Sequence, residues 1–158
     1  ALDLLDLKPG DQVLDAFCGI GNFSLAIAQA AAGVIGLEAS TASVDRARKN
    51  AQLNGLKNAS FDVADLYSTE NSSLVLPQIN KVLLDPPRSG AELVCNKLVE
   101  IACEKIVYVS CNPKTLRRDA DILIAGGYQL DQLGMIDMFP HTAHMESIAL
   151  FSRGASNG

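Results

Sequence analysis

With 158 residues, 48% of them apolar and 20% charged, the chain can fill one well-packed core but not two. A net charge of −5 argues against a domain that grips nucleic acid with its whole surface. No apolar run approaches the ~18 residues needed to cross a bilayer and no basic-then-apolar leader opens the chain, so a cytoplasmic protein with no membrane partner is expected.

The first strand candidate runs from Gln12 to Phe17, and Asp15-Ala-Phe17-Cys18-Gly19-Ile-Gly21-Asn22 carries it into a helix over Phe23 to Ala32. Gly19 and Gly21 allow a tight turn and a close approach of backbone to a ligand, as in nucleotide-binding loops. Ser24 stands where a dinucleotide loop has its third glycine, and the Lys-Ser/Thr pair of a phosphate loop is missing. A strand-to-helix turn without a ligand is the alternative. Cys18 is expected to fill space beneath the loop. The second strand, Val34 to Glu38, ends on a carboxylate placed to accept hydrogen bonds from a ribose.

A helix over Thr41 to Asn54 and a strand over Ser60 to Ala64 follow, the latter ending at Asp65, an acid that either meets a cofactor or is simply solvated. A weak helix is expected around Leu74 to Gln78. The fourth strand, Lys81 to Asp85, runs into Asp85-Pro86-Pro87-Arg88. The prolines stiffen the backbone at the carboxyl edge of the sheet, where open α/β folds bind ligands. The next helix, Ala91 to Glu104, has Val94, Cys95, Leu98, Ile101 and Ala102 at helical spacing, and Cys95 and Cys103 read as small core hydrophobes.

After the fifth strand, Lys105 to Ser110, comes Cys111. Asn112 suits a helix N-cap, Pro113 the first helical position and Gly126-Gly127 the stop. The partial positive charge of a helix N-terminus favours a thiolate, which makes Cys111 a candidate nucleophile; a buried hydrophobe is the plain alternative. Two strands then follow without a helix, Gln129 to Asp137 and Met145 to Ser152. Glu146 is a carboxylate in an apolar run, and burial there would raise its pKa toward that of a general base; an edge residue facing water is the plain alternative. His141 and His144 lack a third ligand and no CxxC pair occurs, so no metal site is expected. Residues 154–158 read as a frayed tail on a single domain, 1–153.

Strand alternating with helix means an α/β fold, a parallel sheet covered on both faces. The two closing strands resemble the methyltransferase variant of the Rossmann sheet. D-x-F-C-G-x-G-N, L-L-D-P-P-R, V-Y-V-S-C-N-P-x-T-L-x-R-D and D-M-F-P-H-T-x-H-x-E-S, taken together, resemble the RNA uracil-5-methyltransferase family over nearly the whole chain. The S-C-N-P and L-F-S-R spellings are most similar to the branch that makes 5-methyluridine in 23S ribosomal RNA. The resemblance implies a class I S-adenosylmethionine-dependent methyltransferase, Rossmann-like, with a mostly parallel seven-stranded sheet and an antiparallel last strand. It implies Cys111 as nucleophile and Glu146 as base. It also implies a cofactor site at Phe17, Asn22, Glu38, Asp65 and Asp85, beside the loop residues Asp15, Gly19 and Gly21. Where family members often carry an amide, this chain has Asp65. The family's RNA-binding barrel, iron–sulfur cysteines and a cofactor-touching glutamine have no counterpart here. With Ala1 rather than Met in first place, the expectation is a catalytic domain whose parent carries an RNA-binding domain upstream. Arg88, Arg117 and Arg118 are then candidates to hold RNA phosphates, with Lys114 beside them.

Three rival readings remain at this level. An Asp-Pro-Pro turn also serves exocyclic-amine methyltransferases, though those resemble this chain less closely because an aromatic usually stands at the position of Arg88. The chain could be a cofactor-binding module without catalysis, or a nicotinamide-binding domain.

Overall fold

The computed structural model describes residues 1–68, 78–137 and 145–154. Short apolar runs form its strands: β1 (Gln12–Ala16), β2 (Gly33–Glu38), β3 (Ala59–Val63), β4 (Lys81–Leu84) and β5 (Lys105–Ser110), then β6 (Gln129–Asp137) and β7 (Met145–Ser152). Every residue of β4 is buried, as a strand covered on both faces demands. Among the described residues the sheet has seven strands in the order β3-β2-β1-β4-β5-β7-β6, with β7 antiparallel to both its neighbours. This is the mostly parallel α/β sheet with a reversed last strand that the sequence predicts.

The helices are α1 (Leu2–Leu5), α2 (Asn22–Ala28), α3 (Thr41–Leu53), α4 (Glu92–Ile101) and α5 (Pro113–Ala125). Leu98 of α4 and Leu116 and Leu123 of α5 pack on the face carrying Leu84, Ile106, Tyr108 and Phe151. Leu5 of α1 and Ile27 of α2 pack on the other face, against Val13, Leu83 and Val107. Val44, Ala47 and Ala51 of α3 enclose Phe61 with Cys18. The four-residue α1 was not foreseen. The helix expected around 74–78 and the segment holding His141 and His144 fall outside the described residues, as does the tail from 155, apart from Gln78. No helix among the described residues is long and apolar enough to cross a membrane.

Boundaries shift where distant groups intervene. α2 stops at Ala28 instead of Ala32 because Asn58 Nδ2 donates to Ala28 O (2.8 Å) and Ala31 O (3.1 Å), while Asp11 O captures the N–H groups of Ala32 and Gly33. α5 begins as predicted: the side chain of Asn112 accepts from Lys114 N–H at 3.1 Å, a cap worth about 1 kcal/mol. At the rim opposite the site, Lys81 Nζ lies 2.7 Å from Asp11 Oδ2 and Asn80 Nδ2 donates to Asp11 Oδ1 at 2.7 Å, which ties the start of β4 to the residue before β1.

Candidate active site

β1 ends because Phe17 adopts φ 65°, a left-handed conformation that costs a non-glycine residue roughly 1–3 kcal/mol unless its surroundings impose it. Gly19 (φ 55°) and Gly21 (φ 87°) carry the turn on, and Cys18 N–H donates to Leu37 O at 3.0 Å, drawing the loop over β2. A side chain at Gly36 would lie 2.5 Å from Phe61 Cδ1 and 2.8 Å from Cys18 Sγ, so the loop is supported on bare backbone. Cys18 is the filler expected: burial, then the charges of Asp15 and Glu38, push its thiol up to about 12.

Glu38 takes Gly19 N–H on Oε2 (3.2 Å) and Ser40 N–H on Oε1 (3.0 Å), which fixes its carboxylate beside the loop. A cleft of about 400 Å³ opens here, with Glu38 and Asp85 contributing charge and Phe17, Tyr67, Pro86 and Pro87 contributing apolar wall. The Phe17 and Tyr67 rings stand 5.7 Å apart, tilted by 47°. Of the predicted cofactor residues, Phe17, Glu38 and Asp85 line this cleft. Asp65 lies at its rim between the lining residues Ala64 and Leu66, its Oδ1 accepting from Tyr67 N–H at 3.0 Å. Gly19, Gly21 and exposed Asn22 form the loop beside it. Tyr67 was missed; the aromatic two places beyond an acid at a strand end was the available signal.

Asp15 lies beneath the loop, 1% exposed, with Oδ2 accepting from Ser24 Oγ at 2.5 Å and Oδ1 without a hydrogen-bond partner among the described residues. Burial, reinforced by the charge of Asp85, pushes its carboxyl up to about 7, against the pull of the Ser24 hydrogen bond. The folded protein therefore holds this proton more tightly than the unfolded chain does. Stability should fall as pH rises from about 4 to 7, by up to ~4 kcal/mol, and level off above. Asp15→Asn should flatten that limb in urea titrations at several pH values; an unchanged slope would assign it to another group.

Cys111 follows β5 directly, and Glu146 lies in β7, which runs antiparallel to β5. The antiparallel register of β5 with β7 ends at Ser110↔Ser147, so Cys111 follows the last paired residue of β5 and Glu146 precedes that residue's partner in β7. All four cysteines are free; Cys18, Cys95 and Cys103 are buried and Cys111 is exposed. Glu146 is half-buried, more open than the enclosed carboxylate its apolar neighbours imply, because it sits at the start of β7 on the rim. Partial desolvation at the cleft wall raises the carboxyl of Asp85 at the surface, and the nearby charge of Glu146 raises it further. Cys111, Glu146 and the Asp85 end of the cleft thus share one stretch of rim.

Arg118 is not free to hold a phosphate. Its Nη2 lies 2.7 Å from Asp119 Oδ1 and donates to Ser89 O at 3.0 Å, and its Nη1 lies 3.3 Å from Glu92 Oε2. Arg88, Lys114 and Arg117 are exposed near Cys111.

The cleft suits an adenosyl sulfonium compound: aromatic walls for a base, a carboxylate at the end of β2 for a ribose, and a second carboxylate to balance positive charge. A family model described as tRNA (Uracil-5-)-methyltransferase matches residues 1–154. The chain is 50% identical over 158 residues to the 23S rRNA (uracil(1939)-C(5))-methyltransferase RlmD of Hahella chejuensis, covering 97% of this chain and 35% of that protein. To the protein of the same name from Thiobacillus denitrificans it is 52% identical over 156 residues, covering 97% and 36%. The chain therefore spans about a third of the length of these curated relatives. Among solved structures it resembles the Pyrococcus abyssi tRNA (uracil-54, C5)-methyltransferase in complex with S-adenosyl-L-homocysteine, with a TM-score of 0.79 and 32% identity over 95% of this chain and 36% of that one. A precorrin-6y C5,15-methyltransferase from Geobacter metallireducens shares the fold alone, at a TM-score of 0.81 and 16% identity over 96% of this chain and 85% of that one.

Proposed function

The chain belongs to the tRNA (uracil-5-)-methyltransferase family, and from that premise we propose that its parent protein methylates carbon-5 of a uridine in RNA, most closely 23S ribosomal RNA, through a covalent adduct on Cys111. The observation that carries this reading is the position of exposed Cys111 and of Glu146, next to the paired residues Ser110 and Ser147 of β5 and β7, at the end of a cleft that suits the methyl donor.

Carbon-5 of uracil is a weak nucleophile. The Cys111 thiolate adds to carbon-6, forming the sulfur–carbon bond and moving the ring's π electrons into an enolate rich at carbon-5. Bound in the cleft, S-adenosylmethionine supplies an electrophilic methyl on a sulfonium. The carbon-5 to methyl bond forms as the sulfur–methyl bond breaks. Glu146 then takes the proton from carbon-5, the released pair restores the ring double bond, and the Cys111 thiolate departs. Phe17, Glu38 and Asp85 hold the donor, with Asn22, Asp65, Gly19 and Gly21 around it and Asp15 supporting the loop from below. Since the target ring must reach Cys111 edge-on, the uridine is flipped out or lies in a loop.

An RNA-binding domain elsewhere in the parent supplies most of the affinity. This chain's negative charge and its short basic stretch at Arg88, Lys114 and Arg117 support that division of labour. The parent protein, given cofactor and RNA containing 5-fluorouridine, should form a denaturant-resistant complex, because fluorine at carbon-5 cannot leave as a proton does. Mass spectrometry should place the bond on Cys111. Free RNA as the sole product, with the donor consumed, would count against the addition step.

A further inference from the structure

Residues 88–91, just beyond the Asp85-Pro86-Pro87 wall of the cleft, are held from two sides. From the side of Cys111, Asn112 Nδ2 (2.9 Å) and Thr115 Oγ1 (3.2 Å) donate to Arg88 O, Arg118 Nη2 donates to Ser89 O (3.0 Å), and Asp119 Oδ2 accepts Ala91 N–H (2.6 Å). From the cleft side, the Tyr67 hydroxyl donates to Gly90 O at 2.8 Å and lies 2.8 Å from Ser89 Oγ. The fit leaves no slack. Gly90 adopts φ 80°, and a side chain there would come within 2.6 Å of Asp119 Oδ2 and 2.9 Å of Thr115 Cβ.

Asp119 is the centre of this joint. Its side chain is fully buried, and a charge so placed is tolerated only when well supplied with donors. Besides Ala91 N–H it receives the Tyr108 hydroxyl at 2.5 Å and the Arg118 guanidinium, Nε at 2.8 Å and Nη2 at 2.7 Å. Ala91 is the N-cap of α4 and has no side-chain cap of its own, so the carboxylate of Asp119 also faces that helix's positive end. One carboxylate therefore links β5, α4 and α5, the last of which starts two residues after the candidate nucleophile.

We infer that Asp119, acting with Arg118, is a positioning residue for methyl transfer: it locks residues 88–91 to α5 and so sets the offset between Cys111 and the Asp85 wall of the donor cleft. This rests on the function proposed above. The chemistry requires carbon-5 of a Cys111-bound ring to meet a methyl group held at the cleft, and a 1 Å misplacement in such an approach costs on the order of 100-fold.

The test uses the parent protein with Asp119→Asn and, separately, Arg118→Lys, which keeps the charge but loses the planar fork. Sites are titrated to completion with 5-fluorouridine RNA, and methyl transfer to ordinary RNA is expressed per titrated site beside the KM for the cofactor. The expected result is a fall in turnover per site of about 30- to 100-fold for Asp119→Asn and about 10-fold for Arg118→Lys, with the cofactor KM within about threefold. A purely structural role would reduce the number of titratable sites and the Tm but leave turnover per site unchanged, and that overturns the inference. Should Asp119→Asn fail to fold, Arg118→Lys decides, because its side chain is 41% exposed and lysine keeps a cation beside the buried Asp119 carboxylate. A wild-type parent that forms no adduct overturns the proposed function and this inference together; normal per-site turnover in the variants overturns the inference alone.

Discussion

Cys111→Ala in the parent protein should abolish methyl transfer to RNA, by about 10⁴-fold or more, while leaving cofactor affinity within about twofold. The size of the effect follows from the chemistry: without addition at carbon-6 there is no enolate, and no other described cysteine can substitute. Cys18, Cys95 and Cys103 are buried, and burial raises the thiol pKa of each. Affinity is preserved because Cys111 is not among the residues lining the donor cleft. Stability should change by less than about 0.5 kcal/mol, since the side chain is exposed. Radiolabelled methyl transfer measures the first quantity and calorimetry the second. Retention of even a few per cent of activity would favour attack by an exocyclic amine, which needs no thiol.

Glu146→Gln divides the same reaction at a later point. Addition and methyl transfer require no proton acceptor, so both should proceed, and the methylated RNA should remain bonded to Cys111. Steady-state turnover should drop by about 10²- to 10⁴-fold, with a protein–RNA band on denaturing gels that appears only when cofactor is present. Glutamine has nearly the volume of glutamate, and the position is half-buried on the rim of the sheet, so the fold should be unaffected. Turnover within about threefold of wild type would place proton removal on another group. The two substitutions thus predict opposite covalent states: none in one, a stalled adduct in the other.

The features readable in the sequence are those set by neighbouring residues. The start of α5 is an example, since the cap at Asn112 and the proline after it act within a single turn. So is the end of β1, where the glycines at 19 and 21 permit the left-handed turn. The nearness of Cys111 to Glu146 has no local signature, because the β5–β7 register that brings their neighbours Ser110 and Ser147 together joins segments 35 or more residues apart. Long-range contacts also account for the errors. Asn58 shortens α2 from 30 residues away, and Arg118 looked like a phosphate ligand because its partners, Ser89 and Glu92, lie on another helix and the loop before it. Tyr67 became a wall of the cleft only when its ring met Phe17 and its hydroxyl met Gly90.

The position of β7 has a consequence for how the protein is made. It lies between β5 and β6 but follows both in the chain, so while the polypeptide leaves the ribosome β6 has no partner strand and β5 presents an open, apolar edge. Such an edge invites wrong pairing between nascent molecules. Insertion of β7 closes it and, in the same movement, delivers Glu146 to the rim where Cys111 waits. Placement of Glu146 at that rim and protection from aggregation are then a single late event in biosynthesis, and a ribosome-stalled product ending before Met145 should be both inactive and chaperone-dependent.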